Sequence, residues 1–168
     1  MQTNELREFL VAFAAERLAL IERHEAGARV VSHYDFNNTY QYVIAREETH
    51  LSWVGQALVE MDTPLPKASS TLPVPELAKT GKKDETGAFQ PVLADDARLL
   101  GAFVEKWRPR VETLTHARHK TMLNVVLGES KEHQRLFEQA AAGSDDVLGR
   151  RTGGVARVGA VLPTRWQE

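Results

Sequence analysis

The chain has 168 residues, 42% of them hydrophobic and 26% charged, which is typical of a globular domain large enough to bury a core. The formal net charge of −2 argues against a surface for nucleic acid or anionic membrane, and the lack of cysteine excludes disulfides and thiolate metal sites. With no signal-peptide pattern and no apolar run of membrane-spanning length, we expect a cytoplasmic protein.

The first predicted helix begins at Asn4, which acts as its N-cap, and runs to about Glu25. Ala26 and Gly27 are expected to close it. Its apolar residues recur at helical spacing: Leu6, Phe9, Leu10, Phe13, Leu20 and Ile21. His24 follows this stripe and is interpreted as a cap of the C-terminal end, with an approach to a site as the alternative.

The second predicted helix begins around residues 35–38 and carries two polar residues within its apolar stripe. The stripe consists of Phe36, Tyr40, Val43, Glu47, His50, Leu51, Val54, Leu58 and Met61. Because the apolar pattern continues on both sides of Glu47 and His50, both side chains are predicted to point inward. A buried carboxylate is strongly unfavourable without a partner.

Residues 63–91 contain five prolines, which predicts a long irregular crossover. The third helix is then expected to begin near Asp95 and Asp96, with Pro109 kinking or splitting it. Its stripe is Leu100, Phe103, Trp107, Val111 and Leu114, which leaves Glu105, Glu112 and His116 on the wetter side.

The fourth helix is predicted to start around His119 and to end at Gly143. Its stripe is Met122, Val125, Val126, Glu129, His133, Leu136 and Ala140. One long kinked helix in place of helices three and four is the alternative. His116 and His119 are interpreted as parts of a solvated turn. Four amphipathic helices and one crossover predict an all-α four-helix bundle in a single domain, with the bundle at about 4–142 and an extended tail at 143–168.

The two glutamate–histidine pairs indicate a metal site. Glu47 and His50 are three residues apart, and Glu129 and His133 are four apart, so each pair projects from one helical face. If helices two and four face each other, these groups converge on one divalent ion, and nitrogen and oxygen ligands suit Zn, Mn, Fe or Ni. His50, Glu129 and His133 are the predicted ligands, with Glu47 as a fourth ligand or a residue that orients one.

The alternative needs no metal. In it the glutamates meet arginines in a buried salt-bridge network, for which Arg17 and Arg46 are the candidates. The bundle would then be a non-enzymatic protein whose polar core specifies the fold.

Residues 127–136 resemble the last-helix motif of the DinB/YfiT-like bundle family, and also the bundle domain of ergothioneine-type sulfoxide synthases. Residues 50–53 resemble the segment that carries the family's third histidine. The resemblance covers about residues 4–142 and departs at Glu129, where the family has histidine. It implies a mononuclear metal bundle that acts as a thiol transferase or hydrolase on a small molecule. A homodimer is expected by analogy.

A second resemblance is to ferritin-like di-iron or di-manganese carboxylate bundles, which are oxidoreductases. Residues 47–50 contain their Glu-x-x-His signature. That family needs a second such motif on helix four, where this chain has Glu-x-x-x-His, and a glutamate from each of helices one and three. Glu16 lies only at the edge of the stripe of helix one.

Overall fold

The computed structural model describes residues 3–77 and 86–150. This part of the chain contains no strand and forms α1 (Thr3–Val30), α2 (Tyr34–Val59), α3 (Gln90–Glu112) and α4 (Ala117–Ala141), with a short 3-10 helix at Thr86–Phe89. The predicted four-helix bundle is therefore confirmed. None of the described helices combines the length and apolarity needed to cross a bilayer.

Side-chain contacts define how the helices run. Phe13 of α1 packs on Phe103 and Trp107 of α3, with ring centroids 5.2 and 5.1 Å apart. Further along α1, Arg23 reaches back to Asp96 near the start of α3. As residue numbers rise along α1, those of the contacted residues in α3 fall, so α1 and α3 are antiparallel. The predicted apolar stripes of all four helices supply most of the core.

α1 runs to Val30, beyond its predicted end at Glu25, so the assignment of Gly27 as a terminator was wrong. Gly27 marks a close contact between helices, since a Cβ there would lie 2.9 Å from Cε1 of Tyr40. The end of α1 is instead stabilised from α2. The side-chain amide of Asn37 donates to the carbonyl oxygens of Ala28 and Val31, at 2.7 and 3.2 Å.

We expect Gly27→Ala to lower the free energy of unfolding by roughly 1–3 kcal/mol, because the buried Tyr40 ring must move to admit the methyl group. Gly128→Ala is the matched control, since Gly128 is also helical but has no neighbour within 4 Å of the added Cβ. That change should stabilise the protein by about 0.5–1 kcal/mol. Urea denaturation measures both, and a neutral Gly27→Ala would refute the packing role.

α3 begins at Gln90, earlier than the predicted Asp95. Pro91 lies in its first turn, where the missing N–H leaves no hydrogen bond unmade, and so belongs to the helix instead of the crossover. The helix is not split at Pro109 and continues to Glu112. α4 then starts separately at Ala117 and ends at Ala141, just before Gly143 with its φ of 100°. The alternative of one long helix is wrong.

The crossover contains no helix or strand from residue 63 to 77. It lies against α1, because the Ser69 N–H donates to the Ala15 carbonyl oxygen at 2.9 Å and Arg23 Nε donates to the Pro73 carbonyl oxygen at 3.2 Å. Residues 78–85 and 151–168 lie outside the described residues. Most of the predicted extended tail, 143–168, falls there.

Candidate functional site

Every helix contributes charged or ionisable side chains to the interior, and they fall into two groups. The inner network lies deep in the bundle and is fully buried, whereas the outer cluster reaches solvent between α2 and α4. The inner network comprises Arg17, Arg23, His24, Tyr40, Glu47, Asp96 and Ser130, and the outer cluster comprises Arg46, His50, Glu129 and His133.

Glu47 is the centre of one half of the inner network. Its Oε1 accepts from Arg17 Nη1 at 2.8 Å, and its Oε2 accepts from His24 Nδ1 at 2.7 Å. Arg17 also donates to Ser130 Oγ on α4. Both oxygens of Glu47 are therefore engaged by cationic groups of α1.

Asp96 is the centre of the other half. Its Oδ2 accepts from Arg23 Nη1 at 3.2 Å and from the hydroxyl of Tyr40. His24 Nε2 lies 3.4 Å from Asp96 Oδ1, so the imidazole of His24 stands between carboxylates of α2 and α3. The ring of Phe137 on α4 covers it at 5.4 Å. The network thus joins all four helices.

The proton affinities follow from these contacts. Burial favours neutral Glu47, but His24 and Arg17 outweigh it and hold its pKa at about 2. Burial also disfavours charged His24, yet Glu47 and Asp96 raise its pKa above the usual value. Burial raises the pKa of Asp96 despite His24 and Arg23. We therefore expect an ionised Glu47 and a charged His24 at mildly acidic pH.

His24 was predicted to cap the end of α1, and this was wrong because α1 continues to Val30. The pairing of Glu47 with Arg17 is the metal-free arrangement that the sequence left open as an alternative. Arg23 and Asp96 were missed. The sequence predicts that α3 begins near Asp95 and Asp96, but because α3 starts at Gln90, Asp96 lies on its inner face with Leu93 and Leu100.

The outer cluster is built around Glu129. Arg46 donates two hydrogen bonds to its carboxylate, from Nε to Oε2 at 3.0 Å and from Nη2 to Oε1 at 2.7 Å. His50 Nε2 lies 2.7 Å from the same Oε2 and donates to it. The Arg46 and Glu129 side chains are 35% and 32% exposed, whereas His50 is fully buried.

Glu129 therefore lies at the rim, not on the buried face of α4 as predicted. The buried residues of α4 follow Leu123, Val126, Ser130, His133 and Phe137, so the stripe passes through Ser130, one position away. Val125 is also exposed, although its inward direction was predicted. His133 is buried as predicted.

His133 lies beside His50. Their rings are 6.2 Å apart and nearly parallel at 18°, with Tyr42 edge-on to His133 at 6.0 Å and Trp53 at 5.5 Å from His50. Burial, with the charge of Arg17, lowers the pKa of His50, and in the same way the pKa of His133 falls to about 4. Both imidazoles are thus neutral near pH 7. The Nδ1 atoms of both rings are buried without a hydrogen-bond partner.

Three of the four predicted ligands thus share one locality: His50, Glu129 and His133. The fourth, Glu47, has both of its carboxylate oxygens engaged by Arg17 and His24 instead. Within residues 3–77 and 86–150, no group of three or more histidine or acidic side chains is already arranged to hold an ion. The carboxylate of Glu129 is engaged by the bidentate contact with Arg46.

Two further sequence features are located by the structure. His116 and His119 form a pair at the start of α4, with their Nδ1 atoms 2.8 Å apart. His116 is exposed, but His119 is buried, so the solvated turn is only half correct. Glu16 contacts α3, where it accepts from Trp107 Nε1 at 2.9 Å and pairs with Lys106.

Comparison of the chain with protein-family models, with curated proteins and with solved structures found no match. The resemblances to the DinB-like and ferritin-like bundles therefore depend on the motif residues themselves and stay predictions.

Proposed function

We propose that the outer cluster binds one divalent metal ion through His50, Glu129 and His133, as the DinB-like resemblance implies. The observation that carries the proposal is the 2.7 Å contact between His50 Nε2 and Glu129 Oε2 beside the ring of His133. Two neutral imidazoles and one carboxylate are a donor set that suits Zn, Ni, Mn or Fe.

The fit of these residues to an ion is supported by their unmet hydrogen-bonding capacity. His50 and His133 each have a buried Nδ1 with no hydrogen-bond partner in the described chain. A bound ion or water can satisfy such atoms, and the same unmet capacity occurs in the inner network at Arg17 Nε, His24 Nε2 and Asp96 Oδ1. The charge of Arg17 helps to keep both rings neutral, which is the protonation state that a metal requires.

Metal binding requires Glu129 to exchange Arg46 for the ion. The Arg46–Glu129 pair is partly exposed; ordinary exposed pairs contribute about 0–1 kcal/mol, and a bidentate pair contributes somewhat more. Transition-metal sites with imidazole and carboxylate ligands are far more favourable than that. The arginine contact is therefore a weak competitor of the ion.

When bound, the ion would supply Lewis-acid activation of a water or a thiol, the chemistry of a hydrolase or a thiol transferase. The partly exposed side chains of Arg46 and Glu129 give access from solvent. Tyr42 and Val125 are exposed, and each lies one helical turn before a member of the cluster, Arg46 and Glu129 respectively. A small-molecule substrate would enter between α2 and α4.

Metal titration tests the proposal. We expect wild-type protein to bind one equivalent of Zn²⁺ or Ni²⁺ in calorimetry, and His50→Ala and His133→Ala each to weaken binding by roughly 100-fold or more. His116→Ala is the control, because His116 is exposed and outside the cluster, and it should bind as the wild type does. Unchanged binding in both cluster variants would refute the assignment.

A non-enzymatic bundle with a polar core is the second candidate, favoured by the completeness of the ion pairs around Glu47. It requires no metal, so a folded wild-type protein that binds neither ion would support it. The ferritin-like alternative would require two ions per chain, and the stoichiometry of the same titration distinguishes all three.

A further inference from the structure

We infer that Arg46 is a binding subsite for the carboxylate of a small-molecule ligand, and that the subsite becomes available when a metal ion engages Glu129. The inference rests on the proposed metal site and names the substrate class for it. The observation is that Arg46 is already bound to a carboxylate, that of Glu129, by two hydrogen bonds of 3.0 and 2.7 Å.

The contact with Glu129 shows what Arg46 is arranged to recognise. Nε and Nη2 of the guanidinium point along one edge, so they meet two oxygens of a planar group side by side. The carboxylate of Glu129 stands in for that of a ligand. Because the guanidinium is about one-third exposed, an incoming molecule can reach it from solvent.

Charge balance favours an anionic ligand once the ion is present. Within the described chain, Glu129 is the one carboxylate that pairs with Arg46. When Glu129 turns to the ion, the guanidinium is left without a counter-ion, and the ion adds two positive charges nearby. An anion at the entrance would offset this excess.

One exposed aromatic side chain offers a surface for the rest of the molecule. Tyr42 is exposed and lies one turn from Arg46 on α2, and its ring touches the edge of His133. Tyr42 therefore lies on the His133 side of Arg46. A ligand with a carboxylate on Arg46 and an apolar body against Tyr42 would hold its remaining polar end near the ion.

The inference is testable without knowing the substrate, because binding of the two ligands is thermodynamically linked. If the metal raises the affinity of Arg46 for a carboxylate by some factor, the carboxylate raises the affinity for the metal by that same factor. The experiment is calorimetric titration with Zn²⁺, with and without acetate at constant ionic strength. We expect acetate to raise the apparent zinc affinity of the wild type by about 5- to 20-fold.

Arg46→Gln and Arg46→Lys separate this effect from direct binding of acetate to zinc. The glutamine variant should bind zinc at least as tightly as wild type without acetate, because the competitor of Glu129 is gone, and should lose the added effect of acetate. The lysine variant should retain part of it, since an ammonium binds a carboxylate at a single point. Methylphosphonate serves as the comparison anion.

Equal responses to acetate in wild type and Arg46→Gln would overturn the inference while leaving the metal site intact. A response to methylphosphonate alone would overturn the choice of carboxylate. If wild type and Arg46→Gln both fail to bind zinc, the proposed metal site fails first and this inference with it.

Discussion

Replacing Arg17 with methionine is expected to lower the free energy of unfolding by roughly 3–5 kcal/mol, the cost of leaving a buried charge without its partner. Arg17 and Glu47 are both fully buried, and their ion pair measures 2.8 Å. Methionine keeps much of the side-chain volume but none of the charge. Urea denaturation followed by circular dichroism measures the loss.

An exposed ion pair provides the control for Arg17→Met. Arg118 pairs with Glu60 at 3.2 Å, with both side chains exposed, so Arg118→Met should change stability by less than about 1 kcal/mol. The double variant Arg17→Met with Glu47→Leu should recover much of the lost stability, because it removes opposite charges together. An Arg17→Met variant no less stable than Arg118→Met would refute the inner network.

The second large effect is a dependence of stability on pH that has opposite signs for Glu47 and His24. The pKa of Glu47 falls from 4.5 to about 2 on folding. Its contribution to the free energy of unfolding is therefore present above pH 4.5 and is lost as the pH falls towards 2. The pKa of His24 is raised above 6.5, so its contribution is complete below pH 6.5 and is lost as the pH rises through the folded value.

His133 adds to the loss on the acid side. Its pKa falls from 6.5 to about 4 on folding, so the unfolded chain binds a proton more readily, and stability declines as the pH drops through that interval. Urea midpoints from pH 3 to 9 measure the profile. Comparison with His24→Gln isolates His24: the stability difference between the two proteins should shrink above pH 6.5. A difference that grows with pH would contradict a charged His24.

The fold could be predicted because the sequence contains four apolar stripes at helical spacing. The same stripes also indicated some of the buried polar residues of the candidate site. Glu47 and His50 interrupt an apolar pattern that resumes on both sides, so their burial could be foreseen. Arg17 carries the same signal, since it lies between Phe13 and Leu20 on the stripe of α1. Opposite charges on two inward faces favour the pairing of Arg17 with Glu47, which the sequence left open as an alternative.

Other features depend on details that one sequence does not contain. The contact of Arg46 with Glu129 requires the register of α2 against α4, and a one-residue error in the stripe of α4 moved Glu129 from the rim into the core. The role of Asp96 depended on where α3 begins, which was obscured by Pro91. Gly27 was read as a terminator because the sequence does not reveal Tyr40 packed against it.

The proposal that the polar interior divides into a closed network and an open cluster that binds a metal is tested most directly by nitrogen-15 NMR of the histidine rings during a Zn²⁺ titration. Before zinc is added, at pH 6.5, we expect a ring that is mostly charged for His24 and rings that are mostly neutral for His50 and His133. One equivalent of zinc should shift the ring nitrogens of His50 and His133 to metal-bound values and leave His24 unchanged. Zinc that leaves His50 and His133 unaltered, or that shifts His24 with them, would contradict this division.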